Sequence, residues 1–170
     1  MVIRIRNKSF KNQRVALFVD IQNMYYSAKN MYDGKVNYRN ILKAAQDKRK
    51  LIRALAYVIK ASTKNEDNFF DALEDMGFFV KRKDLKKFHG GAKKGDWDMG
   101  IAIDAIELSE KIDVAVLVTG DGDFTSLVNH IKAKGVQVEV MSFKKSTASE
   151  LIEASDVYID LAQNQKKFLE

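Results

Sequence analysis

Aspartates occur at three separate places in the chain where a parallel sheet would put a ligand-binding loop. Asp20 ends an apolar run, Asp98 lies near the start of a helical segment, and Asp121 and Asp123 follow another apolar run at 112–119. In open parallel sheets, ligands bind outside the carboxyl ends of the strands, near the point where the strand order reverses. If the first and fourth strands are neighbours, Asp20 and Asp121 converge.

Carboxylates gathered without a counter-charge repel one another, so one or more of them would have to hold a proton at neutral pH. A divalent cation removes that conflict. All-oxygen ligation favours Mg²⁺ or Mn²⁺ over zinc, and a chain with no cysteine and two histidines has few softer ligands to offer. Such a centre can hydrolyse a phosphodiester with one or two ions, which is the chemistry of metal-dependent nucleases.

Each acid also has a purely structural explanation. Asp121 and Asp123 suit a turn followed by a helix N-cap, Asp96 and Asp98 suit a helix N-terminus through its dipole, and Asp20 is an ordinary residue at the end of a strand. The prediction of a metal site therefore depends on the three places meeting at one edge of the sheet.

Strand-like and helix-like segments alternate, which predicts an α/β fold with a parallel sheet and helices on both faces. The apolar runs predict strands over residues 14–20, 51–59, 77–81, 112–119 and 136–141, with a short edge strand at 157–160. Helical spacing predicts helices over about 22–32, 37–47, 65–76, 96–110, 123–134 and 147–155. Gly77 and Gly135 mark helix ends. The predicted core includes Phe69, Phe70, Phe78 and Phe79.

The length of 170 residues fits one domain, and a hydrophobic content of 46% is enough to form a core. No apolar run reaches the roughly 18 residues of a membrane span, so no membrane association is expected. The first residues lack the pattern of a signal peptide, and we expect a cytoplasmic protein.

The net charge of +6 is distributed unevenly. Residues 81–94 carry seven basic side chains against one acid, and the first fourteen residues carry five basic side chains and no acid. Such stretches attract a polyanion such as RNA, although they are also typical of a solvated surface loop. The candidate nucleic-acid-binding residues are Arg82, Lys83, Lys86, Lys87, Lys93 and Lys94.

Aromatic and imidazole side chains lie near these charges. Phe88 could stack on an unpaired base, and His89 is a candidate general base that metal-assisted hydrolysis does not require. Trp97 suits either the core or a stacking surface. Of Tyr25 and Tyr26, one is expected to pack and the other to line the cleft.

Three ordered motifs carry a resemblance to a known family: residues 15–23 (VALFVDIQN), residues 94–98 (KGDWD) leading to 101–105 (IAIDA), and residues 116–124 (VLVTGDGDF). They resemble the NYN domain, and more closely its LabA-like branch within the PIN-like nuclease superfamily. The resemblance spans about residues 14–160. It leaves a basic extension at 1–13 and a C-terminal tail at 161–170.

The resemblance implies a PIN-like, Rossmann-like three-layer sandwich with strand order 3-2-1-4-5, a Mg²⁺ or Mn²⁺ site and RNA as substrate. By motif, the metal-facing acids would be Asp20, Asp98, Asp121 and Asp123, with Asp104 as a further ligand. Asn23 would orient a phosphate or a water molecule, and Thr119 would hydrogen-bond within the carboxylate cluster.

Two of these assignments conflict with the local sequence. Asp104 lies six positions after Asp98, about 240° round a helix, so the two do not share one face. The family often has a small or apolar residue between Lys-Gly and its acid, whereas Asp96 and Trp97 stand there in this chain. Asp96 therefore remains an alternative to Asp98.

We expect a metal-dependent ribonuclease that cleaves single-stranded or flexible RNA endonucleolytically. One alternative is a non-catalytic RNA-binding or protein-binding regulator on the same fold. Another is a Rossmann-like nucleotide binder, which is disfavoured because no Gly-x-Gly-x-x-Gly motif follows the first strand. A homodimer is left open.

Overall fold

A parallel sheet forms the centre of the computed structural model, which describes residues 10–87 and 93–170. The strands are β1 (Arg14–Asp20), β2 (Lys50–Lys60), β3 (Phe79–Asp84), β4 (Lys86–Lys87), β5 (Lys93–Lys94), β6 (Val114–Val118), β7 (Gln137–Ser142) and β8 (Val157–Asp160). Six of them form one sheet in the order β3-β2-β1-β6-β7-β8, and each neighbouring pair is parallel. The predicted order 3-2-1-4-5 is confirmed, and the predicted edge strand is its sixth member.

Helices cover both faces of this sheet. On one face lie α1 (Ile21–Tyr32), α2 (Tyr38–Gln46) and α3 (Glu66–Met76), and on the other lie α4 (Asp98–Leu108), α5 (Thr125–Ala133) and α6 (Ser149–Ala154). The short α7 (Gln165–Phe168) returns to the first face. Among the described residues, no helix is both long enough and apolar enough to cross a bilayer. The predicted three-layer α/β sandwich is confirmed.

Strand β1 is buried on both sides because its side chains alternate between two cores. Val15, Leu17 and Val19 pack with α1, α2 and α3, whereas Ala16 and Phe18 pack with α4, α5 and α6. A strand buried on both faces needs apolar residues at successive positions, which explains its continuous apolar run. Asp20 is the first polar residue after that run, at the edge of the sheet.

The aromatic pairs differ from the prediction. Phe70 and Phe78 are buried, but Phe69 and Phe79 are 38% and 56% exposed, so the placement of these two in the core was wrong. Adjacent side chains on a helix or strand point in different directions, so both members of such a pair rarely face the core. The lysine-rich loop also contains some regular structure, since β4 and β5 pair antiparallel.

The last ten residues pack against the domain. Leu161 begins a short 3-10 helix, Phe168 ends α7, and both side chains are buried in the core shared with α1 and α2. Leu169 pairs with Val36 in an antiparallel bridge. The segment that the sequence suggested as a tail therefore contributes to the core.

Phe168→Ala should lower the free energy of unfolding by about 2–4 kcal/mol, because it leaves a cavity beneath the C-terminal segment. Urea denaturation measures this change, with the exposed neighbour variant Lys166→Ala as control. Equal stabilities of the two variants would show that the C-terminal segment is dispensable to the core.

Candidate metal centre

The predicted acids meet where the strand order reverses. Strands β1 and β6 are adjacent and parallel, so the chain leaves both at the same edge of the sheet. Asp20 is the last residue of β1, and the loop after β6 carries Asp121 and Asp123. The start of α4 brings Asp96 and Asp98 to the same place. One pocket is lined by Asp20, Asp96, Asp98 and Asp121.

Three carboxylates are close enough to hold one cation. One oxygen each from Asp98, Asp121 and Asp123 lie within 4.8 Å of one another. Ligand oxygens at about 2.1 Å from a Mg²⁺ ion stand at most about 4.2 Å apart, so small side-chain movements bring this trio into range. The donor set consists of carboxylate oxygens, which suits Mg²⁺ or Mn²⁺.

Asp20 borders this trio from the end of β1. One of its carboxylate oxygens accepts a hydrogen bond from the backbone N–H of Asn23 at 3.2 Å, and the other accepts from the Thr119 hydroxyl at 3.4 Å. Burial, followed by repulsion from Asp98 and Asp121, raises the pKa of Asp20 to about 6 despite these two hydrogen bonds. Ionisation of every acid in the metal-free pocket is therefore unfavourable.

Asp98 experiences the same conflict. Burial raises its pKa to about 6, with further increases from Asp121, Asp96 and Asp123, while the Lys83 ammonium acts in the opposite direction. Burial and the neighbouring carboxylates therefore both disfavour the ionised forms of Asp20 and Asp98. A bound dication would neutralise them.

Hydrogen bonds from two elements fix the loop after β6. The side-chain oxygen of Asn23 accepts from the backbone N–H of Gly120 at 2.9 Å, and the Thr119 hydroxyl accepts from the N–H of Asp121 at 3.2 Å. Asp121 in turn accepts from the N–H of Asp123 at 2.9 Å. Asn23 thus has a positioning role that the sequence did not predict, and its Nδ2 group is its remaining donor.

Gly120 is required by close packing rather than by its backbone angles. A Cβ at this position would lie 2.6 Å from the carbonyl oxygen of Ser146 and 3.1 Å from the hydroxyl oxygen of Thr147. A Cβ at Gly122 would lie 2.7 Å from a carboxylate oxygen of Glu150. The two glycines therefore let the acid-bearing loop pack directly against the segment before and at the start of α6.

Asp96 lies beside the trio and is not part of it. Its carboxylate accepts a hydrogen bond from the backbone N–H of Asp98 at 3.3 Å, which supports the first turn of α4. Of the two alternatives that the sequence left open, Asp98 is the one grouped with Asp121 and Asp123.

The structure does not bring Asp104 to this pocket. Its carboxylate accepts hydrogen bonds from the Tyr57 hydroxyl at 2.8 Å and from the Lys81 ammonium at 2.7 Å. It lines a separate, smaller depression on the sheet side of α4. The rotation of about 240° from Asp98 along a helix accounts for this separation.

Among the predicted RNA-binding residues with a described side chain, Lys83 is the one that contacts the acidic segment before α4. Its ammonium donates to the carbonyl oxygen of Asp96 at 2.9 Å and lies 4.2 Å from the centre of the Trp97 ring. Trp97 itself is partly buried, and its indole N–H donates to the carbonyl oxygen of Val58 at 2.8 Å. It packs against the core beneath α4, with its ring against Gly100.

The other basic candidates lie farther from the acids or lack a described side chain. Arg82 forms an ion pair with Glu74 at 3.0 Å and lies over the Phe70 ring at 5.3 Å. Lys86 is exposed. Only the backbone of Lys87, Lys93 and Lys94 is described, and Phe88 and His89 lie outside the described residues.

The pocket also contains residues that the sequence reasoning missed. Gln22, Ser27, Asn30 and Met31 of α1 and Ser146 before α6 line it, together with Tyr26. The positions 22, 26 and 30 recur every four residues, which is the signal that could have grouped them on one helix face.

Comparison with known proteins places the chain in a family and finds similar proteins. A family model described as the NYN domain matches residues 14–162. The chain is 32% identical over 164 residues to the Low amplitude and bright protein LabA of Synechococcus elongatus, covering 90% of this chain and 86% of that protein. The crystal structure of a protein of unknown function from Vibrio parahaemolyticus matches with a TM-score of 0.86 and 32% identity, covering 96% of this chain and 99% of that one. Residues 14–162 include every acid described above.

Asp20→Asn should stabilise the metal-free protein at neutral pH. The folded-state pKa of Asp20 is about 6 against an ordinary value of 3.8, so its ionisation destabilises the fold as the pH rises through this interval. The full shift corresponds to at most about 3 kcal/mol, and we expect a gain of about 1–3 kcal/mol at pH 7.5 in EDTA. The gain should vanish below about pH 4, where the aspartate is protonated in both states.

Urea denaturation at the two pH values measures this effect. Asparagine keeps the N-cap of α1, so loss of the cap does not confuse the comparison. Asp75→Asn on α3 removes an exposed carboxylate elsewhere and should change stability by less than about 0.5 kcal/mol at either pH. A loss of stability in Asp20→Asn at pH 7.5 would show that the ionised Asp20 carboxylate does not destabilise the metal-free fold.

Proposed function

Because the chain belongs to the NYN domain family, we propose that it is a metal-dependent ribonuclease that hydrolyses phosphodiester bonds of single-stranded RNA by endonucleolytic cleavage. The observation that carries this proposal is the convergence of Asp98, Asp121 and Asp123 within 4.8 Å, beside Asp20 in one pocket. The family's place in a nuclease superfamily supports it.

We assign the cation to Asp98, Asp121 and Asp123, with Asp20 as the fourth acid of the site. When bound there, Mg²⁺ or Mn²⁺ would activate a water molecule and stabilise the leaving oxygen of the phosphodiester. Burial first, and repulsion from neighbouring aspartates second, raise the pKa values of Asp20 and Asp98 to about 6, and a bound cation would favour the ionised form of both carboxyl groups.

The chain's own donors would position the substrate. Asn23 lines the acidic pocket, and the Lys83 ammonium donates to the carbonyl oxygen of Asp96, another residue of its lining. Both side chains can donate hydrogen bonds to phosphate oxygens of the substrate. Thr119 holds Asp20 and Asp121 in place through its hydroxyl group. Lys86 is exposed, and residues 81–94 together carry seven basic residues against one acid, which favours a polyanionic substrate.

Asp121→Asn should reduce cleavage of a 5′-labelled single-stranded RNA by at least about 100-fold in Mg²⁺ or Mn²⁺, because it removes one of three proposed metal ligands. Asp75→Asn serves as the matched control and should cleave like the wild type. Cleavage by wild type in excess EDTA, or by Asp121→Asn at the wild-type rate, would contradict the proposal. Binding of RNA without shortening in Mn²⁺ would instead favour a non-catalytic module.

Asp98→Asn and Asp104→Asn separate the two acids of α4. We expect Asp98→Asn to abolish cation-dependent cleavage and Asp104→Asn to keep it within about fivefold, since an asparagine oxygen can still accept from Tyr57. The measurement is the cleavage rate as a function of Mn²⁺ concentration. An equal loss of cleavage in both variants would contradict the exclusion of Asp104 from the metal ligands.

A further inference from the structure

A stripe of uncharged side chains on α1 extends the acidic pocket away from the carboxylates. It consists of Gln22, Asn23, Tyr26, Ser27, Asn30 and Met31, all of which line the pocket. Their spacing of four residues places them on one face of the helix, over a length of about 13 Å. Ile21, Met24 and Ala28 on the opposite face are buried in the core, so the stripe is held rigidly.

Tyr26 is the large ring in this stripe, and 51% of its surface is exposed. The neighbouring Tyr25 is 48% exposed and meets Tyr26 at a ring-centre distance of 5.2 Å and an interplanar angle of 77°, but it does not line the pocket. This edge-on contact restricts the movement of the Tyr26 ring, and the Tyr25 ring does not stack on its face. An exposed aromatic ring that is held in place beside the acidic pocket is suited to stacking on a base.

Apart from Asn23, which is assigned to the phosphate, the polar groups of the stripe match a base better than a phosphate. The amides of Gln22 and Asn30 each donate and accept hydrogen bonds, as base edges do, and none of the stripe residues carries a positive charge. Cations lie at its borders instead. Exposed Lys144 and Lys145 directly precede Ser146, which lines the pocket, and Lys29 is exposed on α1.

We propose that the α1 stripe binds the unpaired base of a nucleotide next to the scissile phosphate of single-stranded RNA, with the base stacked on Tyr26 and its edge bound by Asn30. The inference rests on the proposed function, because the acids define where the scissile phosphate lies. It deepens that function by naming a base-specific subsite. A paired base offers neither a free face nor a free edge, so duplex RNA is excluded from this subsite.

Equilibrium binding tests the subsite without requiring turnover. Every protein carries Asp121→Asn to prevent cleavage, and fluorescence anisotropy in Mg²⁺ gives the Kd for a labelled single-stranded RNA. Tyr26→Ala should weaken binding by about tenfold, within the range measured for base–aromatic stacking. Tyr26→Phe, which keeps the ring, should bind within about twofold of the parent. Phe79→Ala removes a similarly exposed ring on β3 and should have no effect.

A scan of single abasic sites along the same RNA identifies the stacked base. At that position the abasic RNA should bind the parent protein and the Tyr26→Ala variant with equal affinity, whereas at other positions the tenfold difference should persist. Equal affinities of Tyr26→Ala and Phe79→Ala, or a Tyr26 effect that no abasic site removes, would overturn the proposal. Absence of RNA binding by the parent protein would also overturn it and point to an occupant of another class.

The two proposals fail separately. The first possible result is that one abasic site removes the effect of Tyr26→Ala on binding, while the wild-type chain does not cleave RNA in Mn²⁺. This result would support the base-binding subsite and reject the nuclease. The second possible result is cation-dependent cleavage with no abasic site that removes a Tyr26→Ala effect. This result would support the nuclease and reject the subsite.

Discussion

Repulsion between carboxylates at the meeting point of β1, β6 and α4 is the constraint on which the proposed chemistry of this site depends. Burial, with added repulsion from the neighbouring aspartates, raises the pKa of Asp20 and that of Asp98 to about 6, so the fold holds these carboxyl groups where ionisation is unfavourable. The two apolar cores on either side of β1 and β6 provide the rigidity needed to hold them there. A cluster maintained at such a cost is typical of functional sites.

Much of the site could be predicted because it follows from local pattern and sheet topology. Continuous apolar runs identified β1 and β6, the acids at their ends were visible in the sequence, and the helical rotation already separated Asp104 from Asp98. The choice between Asp96 and Asp98 depends instead on contacts with Asp121 and Asp123, which are distant in the sequence. No local pattern encodes such contacts.

Other features were missed for the same reason. Phe168 looks like part of a polar tail until its burial against α1 and α2 is known, and Gly120 looks like a turn residue until its approach to Ser146 is known. The α1 stripe combines an exposed tyrosine with amides that have no distinctive local signature. In the two proposals, the acids bind the cation at the phosphodiester, and the neutral side chains of the stripe contact the base.

The most direct measurement is the crystal structure of the protein soaked in Mn²⁺, with anomalous diffraction used to locate the ion. We expect an anomalous peak within ligand distance of carboxylate oxygens of Asp98, Asp121 and Asp123, in the pocket that Asp20 borders. Full soaking with no peak in that pocket, or a peak only beside Asp104, would contradict the claim that a dication resolves the repulsion.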